Sequence, residues 1–221
     1  MHTSDHITVL LAEDNLIVRE GICSILKTAI DIKVVGQAHD GREAVKLAKT
    51  LHPDVIVMDI AMPLLNGLEA TRRILKATPS TRILMLSAHT EDAYVEQSMA
   101  LGAAGYFFKQ PPFLILAEAI RTVCKGNTFY NPSTPKRLRD REKLDSKKAP
   151  ELTPREVEVL QLITEGNTTS EAASELGISI ETGEKHRRSL LEKLNFHDIT
   201  GLTRYALAEG IIESGVQLTI V

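Results

Sequence analysis

Cysteine is scarce in this chain, long apolar runs are missing and nothing repeats, and each shortage narrows what the protein can be. The two cysteines, Cys23 and Cys124, fall in segments with helical spacing and belong to no metal-ligand pattern. Two reduced, partly buried thiols are therefore expected. No uninterrupted apolar stretch approaches the ~18 residues needed to span a bilayer. The opening Met1-His2-Thr3-Ser4-Asp5 lacks a basic flank followed by an apolar stretch, so no signal peptide is visible. A cytoplasmic protein without a membrane partner is the expectation. Internal repeats and low-complexity tracts are absent as well.

What is present is ordinary globular material: 221 residues, 43% hydrophobic and 25% charged, enough for one large or two modest domains. The net charge of −3 is unevenly spread. Residues 1–130 carry 13 Lys and Arg against 14 Asp and Glu, residues 131–150 carry 7 against 3, and residues 151–221 carry 6 against 12. The middle block is polar, basic and without apolar periodicity, so it reads as a linker. Domains are expected at 1–130 and 151–221, with 131–150 between them.

In the first domain, apolar runs suited to buried strands (Ile7–Leu11, Ile32–Val35, Val55–Met58, Ile83–Leu86 and Tyr106–Phe108) alternate with segments of helical spacing. Asn15 is placed to cap the first helix, and further helices are expected over Arg42–Leu51, Leu68–Lys76, Glu91–Leu101 and Phe113–Cys124. Five β–α units predict a doubly wound, five-stranded parallel sheet with helices on both faces. Polar residues stand where four of the runs end: Glu13-Asp14, Asp59, Ser87 and Lys109. Ligands bind at the carboxyl edge of such sheets, so these residues are expected to meet there.

Three carboxylates in one crevice are costly unless a hard divalent cation joins them, and oxygen-only ligands suit magnesium. Magnesium and Lys109 together balance Glu13, Asp14 and Asp59. Asp59, alone at the end of the central strand, is then the expected nucleophile toward a phosphoryl donor, with Ser87 able to donate to a phosphoryl oxygen. Phosphatases that use an aspartate nucleophile carry a second aspartate two residues on. Ala61 stands there, so a turnover enzyme with catalytic residues is not expected.

Leu11-Ala12-Glu13-Asp14, Val57-Met58-Asp59-Ile60-Ala61-Met62-Pro63, Leu86-Ser87-Ala88 and Gly105-Tyr106-Phe107-Phe108-Lys109 resemble the receiver domain of two-component response regulators. The resemblance, over residues 6–125, implies a flavodoxin-like fold. It implies Asp59 as acceptor of a phosphoryl group from a sensor histidine kinase. It also implies a Mg2+ site of Glu13, Asp14, Asp59 and the backbone carbonyl of Ala61, with Ser87, Tyr106 and Lys109 responding to the phosphoryl group. Gln110 departs from the proline common in that family.

The second domain opens with a capping box, Thr153-Pro154-Arg155-Glu156, and a second box follows at Thr168-Thr169-Ser170-Glu171. Ser179 caps a third helix to about Leu194, and a fourth covers roughly Ile199–Glu209. Four helices are expected, the middle pair joined by Leu176-Gly177-Ile178-Ser179 as a helix-turn-helix. Leu152-Thr153-Pro154-Arg155-Glu156, Ala173-Ser174-Glu175-Leu176-Gly177-Ile178-Ser179 and His186-Arg187 with Leu190, Lys193 and Leu194 resemble the LuxR-type output domain of NarL/FixJ-type regulators. That resemblance implies a DNA-binding transcription regulator, a homodimer when phosphorylated, and promoter or operator contacts from Thr169, Glu184, Lys185, Arg187, Arg188 and Lys193. Four of the domain's six basic residues do fall on the proposed recognition helix, which suits a phosphate-facing edge. Against this, Glu181, Glu184 and Glu192 share its face. Gly183 in the helix interior costs roughly 0.5–1 kcal/mol relative to alanine and forgoes a core-filling side chain. The alternative is a phosphorylation-switched interaction module with weak or no sequence-specific DNA binding.

Overall fold

The apolar runs of the first unit form β1 (Ile7–Ala12), β2 (Ile32–Ala38), β3 (Val55–Asp59), β4 (Arg82–Ser87) and β5 (Gly105–Phe108). Between and after them run α1 (Leu16–Leu26), α2 (Gly41–Leu51), α3 (Gly67–Ala77), α4 (Asp92–Ala100) and α5 (Leu116–Cys124). This computed structural model describes residues 6–88, 92–109, 115–130, 152–196 and 198–212. The expected linker 131–150, Gln110, the Pro111-Pro112 break and the expected helix starts at Glu91 and Phe113 lie outside the described residues. The chain divides into two units, Met1–Glu142 and Lys143–Val221.

The sheet has six strands rather than five. β6 (Phe129–Tyr130) lies parallel to β5, pairing Gly105 with Phe129 and Tyr106 with Tyr130. Two residues cannot show an alternating pattern, so the pairing is made visible only by the neighbour it joins. Strand order is β2-β1-β3-β4-β5-β6, all parallel.

Successive side chains of each strand face opposite sides of the sheet. Leu10, Ile56, Met58, Ile83, Met85 and Tyr106 pack on one face with the helices α2, α3 and α4. On the other, Val9, Leu11, Val57, Leu84, Leu86 and Phe107 meet Ile22, Cys23 and Leu26 of α1 and Leu116, Ile120 and Val123 of α5. Both faces are covered, which is why the strands read as continuous apolar runs. Asn15 caps α1 as expected, accepting from the amides of Ile17 and Val18.

The second unit is four helices, as expected: α6 (Pro154–Thr164), α7 (Thr169–Glu175), α8 (Ile180–Leu194) and α9 (Ile199–Ala208). Val159, Leu160, Ile163, Leu190, Leu194, Leu202 and Ala206 form its core. Both capping boxes close, with Glu156 and Glu171 returning to the caps Thr153 and Thr168. Between α7 and α8 the chain turns at Gly177, whose φ of +63° is costly for any residue with a Cβ. Gly183 does not leave a gap in the core. A Cβ there would lie 3.3 Å from both Ala173 Cβ and Thr169 Cγ2, so the close crossing of α7 and α8 already fills the space. Among the described residues no helix is long and apolar enough to cross a membrane.

Candidate functional site

Strand order reverses between β1 and β3, and the crevice at such a switch point is where doubly wound sheets bind ligands. Glu13 and Asp14 follow β1, Asp59 ends β3, Ser87 ends β4 and Lys109 follows β5. The fold thus brings to one edge residues spread over nearly the whole first unit. Lys109 Nζ lies 2.8 Å from Asp59 Oδ2 and 2.9 Å from Glu13 Oε2. Carboxylate oxygens of Glu13, Asp14 and Asp59 all lie within 4.8 Å of one another, the one such group of three found among the described residues. Glu13 and Asp59 are buried, and Asp14 stands exposed at the rim.

One lysine does not balance this set. Burial raises the Asp59 pKa to about 8 against the pull of Lys109, with Glu13 adding to the rise. Glu13 is raised for the same first reason, burial, again opposed by Lys109. Burial works against the Lys109 ammonium too, but Asp59 and Glu13 outweigh it and hold the lysine charged. Lys109 spans the Glu13 carboxylate, 2.9 Å from Oε2 and donating to Oε1 at 3.2 Å. An all-oxygen donor set of three carboxylates facing a single lysine fits a hard divalent cation.

Two of the other expected residues, Ala61 and Ser87, stand beside this cluster. Ala61 brings its amide to 3.4 Å from Asp59 Oδ1. Ser87 is buried one residue beyond Leu86, the partner of Asp59 in the β3–β4 pair. The ring of Tyr106 is fully buried, edge-on to Phe108 with centroids 5.3 Å apart.

Two contributors escaped sequence reasoning. A Cβ on Gly67 would sit 1.9 Å from the Asp59 carbonyl oxygen, so only glycine lets the start of α3 close against the end of β3. There its amide donates to Ile60 O at 2.8 Å. Arg19, on α1, donates to the carbonyls of Glu13 at 2.6 Å and Asp14 at 3.3 Å, holding the acidic loop by its backbone. Neither carries a signal in one sequence: a loop glycine and a helix arginine have many ordinary reasons to be present.

In the second unit, two neighbouring residues of the first capping box fix both halves of the helix-turn-helix. Arg155 donates to Leu176 O, at the end of α7, at 2.6 Å. Glu156 is buried and accepts from Ser189 Oγ and Lys193 Nζ of α8, both at 2.7 Å. Burial resists ionisation of Glu156, but the hydrogen bonds from Lys193, Thr153 and Ser189 outweigh it and bring its pKa to about 2. Lys193 is therefore committed within the unit. Arg187 reaches Thr169 Oγ1 at 3.4 Å, and Thr169 itself is buried. Glu184, Lys185 and Arg188 are exposed and have no partner among the described residues.

Two outcomes follow. Without metal, the raised Asp59 pKa means the folded state holds a proton that the unfolded chain has released. Its stabilising effect is full below about pH 4 and lost as pH rises through about 8. Asp59→Asn should therefore gain stability over the parent across that interval, reaching the order of 1 kcal/mol or more above it. Thermal melts in chelator across pH check this; a difference independent of pH would contradict it. Glu156 has the opposite sign. Its lowered pKa contributes stability above about pH 4.5, lost as pH falls through about 2. Glu156→Gln should cost about 2 kcal/mol at neutral pH, read as a lower urea midpoint for the second unit at unchanged slope.

Comparison with known proteins agrees with both halves of this geometry. Residues 9–121 match the family model described as the response regulator receiver domain, and residues 150–206 match that of bacterial regulatory proteins of the luxR family. The response regulator protein VraR of Staphylococcus aureus is 36% identical over 207 residues, covering 94% of this chain and 99% of VraR. The response regulator RcsB of Salmonella typhimurium, whose structure is described in terms of conformational dynamism for DNA interaction, is 27% identical. It covers 92% of this chain and all of its own, with a TM-score of 0.55. An RcsB–DNA complex is 29% identical, covering 92% of this chain and 98% of that one, with a TM-score of 0.57. The chain belongs to the response regulators that join a receiver domain to a LuxR-type helix-turn-helix domain.

Proposed function

We propose that Asp59 accepts a phosphoryl group from a sensor histidine kinase, and that this modification switches DNA binding by the helix-turn-helix and so regulates transcription in the cytoplasm. The ion-paired constellation of Asp59, Glu13 and Lys109 at the switch point carries the first half of this reading. The second half is supported by the exposed Lys185 and Arg188 on α8 and by the likeness to RcsB, which has been solved with DNA. The domains are read as 1–130 and 151–221, joined by 131–150.

In the transfer, a carboxylate oxygen of Asp59 attacks the phosphorus of a phosphohistidine. The O–P bond forms as the P–N bond breaks, and the imidazole takes up the departing electron pair. Glu13, Asp14, Asp59 and the Ala61 carbonyl would hold Mg2+, which would supply charge neutralisation for the transferred oxygens. Lys109, freed from the Asp59 carboxylate as it becomes an acyl phosphate, is left to pair with the phosphoryl group. Ser87 offers a hydroxyl to another of its oxygens, and Tyr106 follows the loop that Ser87 draws in. Phosphorylated receivers then pair, bringing two output domains to one duplex.

A small phosphodonor with magnesium should add one hydroxylamine-sensitive phosphoryl group per chain, and Asp59→Asn should abolish it. Mass spectrometry reads the result; labelling that persists in the variant would place the acceptor elsewhere. On DNA, Arg188→Ala should weaken binding by the phosphorylated protein and reduce the slope of log K against log salt by about one, as expected for one lost phosphate contact. A slope unchanged from the parent would remove Arg188 from the interface.

A further inference from the structure

Glu184 is the least expected residue on the surface that should meet DNA. It is the fifth residue of the fifteen-residue α8, and the leading half of a recognition helix is the part that reaches base edges. Its carboxylate is exposed and makes no ion pair among the described residues. Arg188 lies four residues on, a spacing at which Glu and Arg commonly pair, yet the two remain apart. Arg187 turns instead to Thr169. Glu184 lines an open depression with Ile180, Arg187 and the first residues of α7, so it faces the concave side of the motif.

Against a phosphate, such a carboxylate is repelled. Inside a major groove it must be met by a donor on a base edge. Guanine and thymine present only acceptors there. Adenine presents one amino donor, flanked by the N7 acceptor, which faces a carboxylate unfavourably. Cytosine presents its N4 amino group with no acceptor of its own beside it. Resting on the DNA-binding reading above, we propose that Glu184 selects a cytosine in each half-site.

The closing experiment is a selection from random duplexes at low salt. It uses the full chain phosphorylated by a small donor with magnesium, run in parallel for the parent and for Glu184→Gln. Because Glu184 is exposed and unpartnered, the substitution leaves the core untouched. The parent should enrich a motif with one fixed cytosine per half-site. In Glu184→Gln that position should change to adenine, which glutamine meets through N6 and N7, while the rest of the motif stays. Measured on single duplexes, the cytosine preference should fall by about tenfold or more. Identical motifs from the two proteins would overturn the proposal. DNA binding by the parent without any enriched motif would overturn it too, while leaving the DNA-binding reading standing. No binding by the parent would overturn both.

Discussion

Lys109 holds its ammonium 2.8 Å from Asp59 and 2.9 Å from Glu13, and one positive charge cannot balance two buried carboxylates with Asp14 at the rim. The rest of the receiver unit is arranged to hold that unbalanced set in place. Strand order brings the ends of β1, β3 and β5 together. Gly67 lets α3 close against the carbonyl of Asp59, and Arg19 grips the acidic loop from α1. The apolar faces on both sides of the sheet supply the rigidity that keeps like charges near one another. A pocket built this way keeps an excess of negative charge, so a proton or a cation entering it would change the balance at the same three carboxylates.

Glu156 shows the opposite solution with the same chemistry. It too is a buried carboxylate, but its oxygens are met by Ser189, Lys193 and both the amide and hydroxyl of Thr153. Four donors hold it ionised, whereas burial outweighs Lys109 at Asp59 and raises its pKa. The contrast separates structure from function more clearly than burial alone. A saturated carboxylate fixes geometry, and an undersaturated one waits for a ligand.

Local chemistry was legible in the sequence because its signals are local. Asn15, Thr153, Thr168 and Ser179 cap where their side-chain oxygens said they would, and the apolar runs became strands. The acidic cluster was legible because strand ends in a parallel sheet share an edge, so topology converted distant residues into neighbours. What could not be read depends on which element lies opposite. β6 is too short to announce itself. Gly183 looked like a missing core residue, yet the crossing of α7 and α8 closes that space. Nothing in the sequence pairs Lys193 with Glu156 across 37 positions, or Arg187 with Thr169 across 18.

That last difference bears on how the output domain is controlled. With Lys193 paired to Glu156, the cations that α8 leaves without a carboxylate partner are Lys185, Arg187 and Arg188, set among Glu181, Glu184 and Glu192. Non-specific affinity scales with the number of phosphates neutralised, so carboxylates set among the few cations of α8 oppose its grip on a duplex. Two output domains held together double the contacts, and the second binds at the high effective concentration set by the first. If one copy bound tightly, pairing the receivers would change occupancy little; the weaker one copy binds, the more pairing would change it. The glutamates that seem out of place on a recognition helix then serve both ends of the mechanism. They would oppose the phosphates of any sequence, and the proposed cytosine contact of Glu184 would give the paired domains a base to prefer.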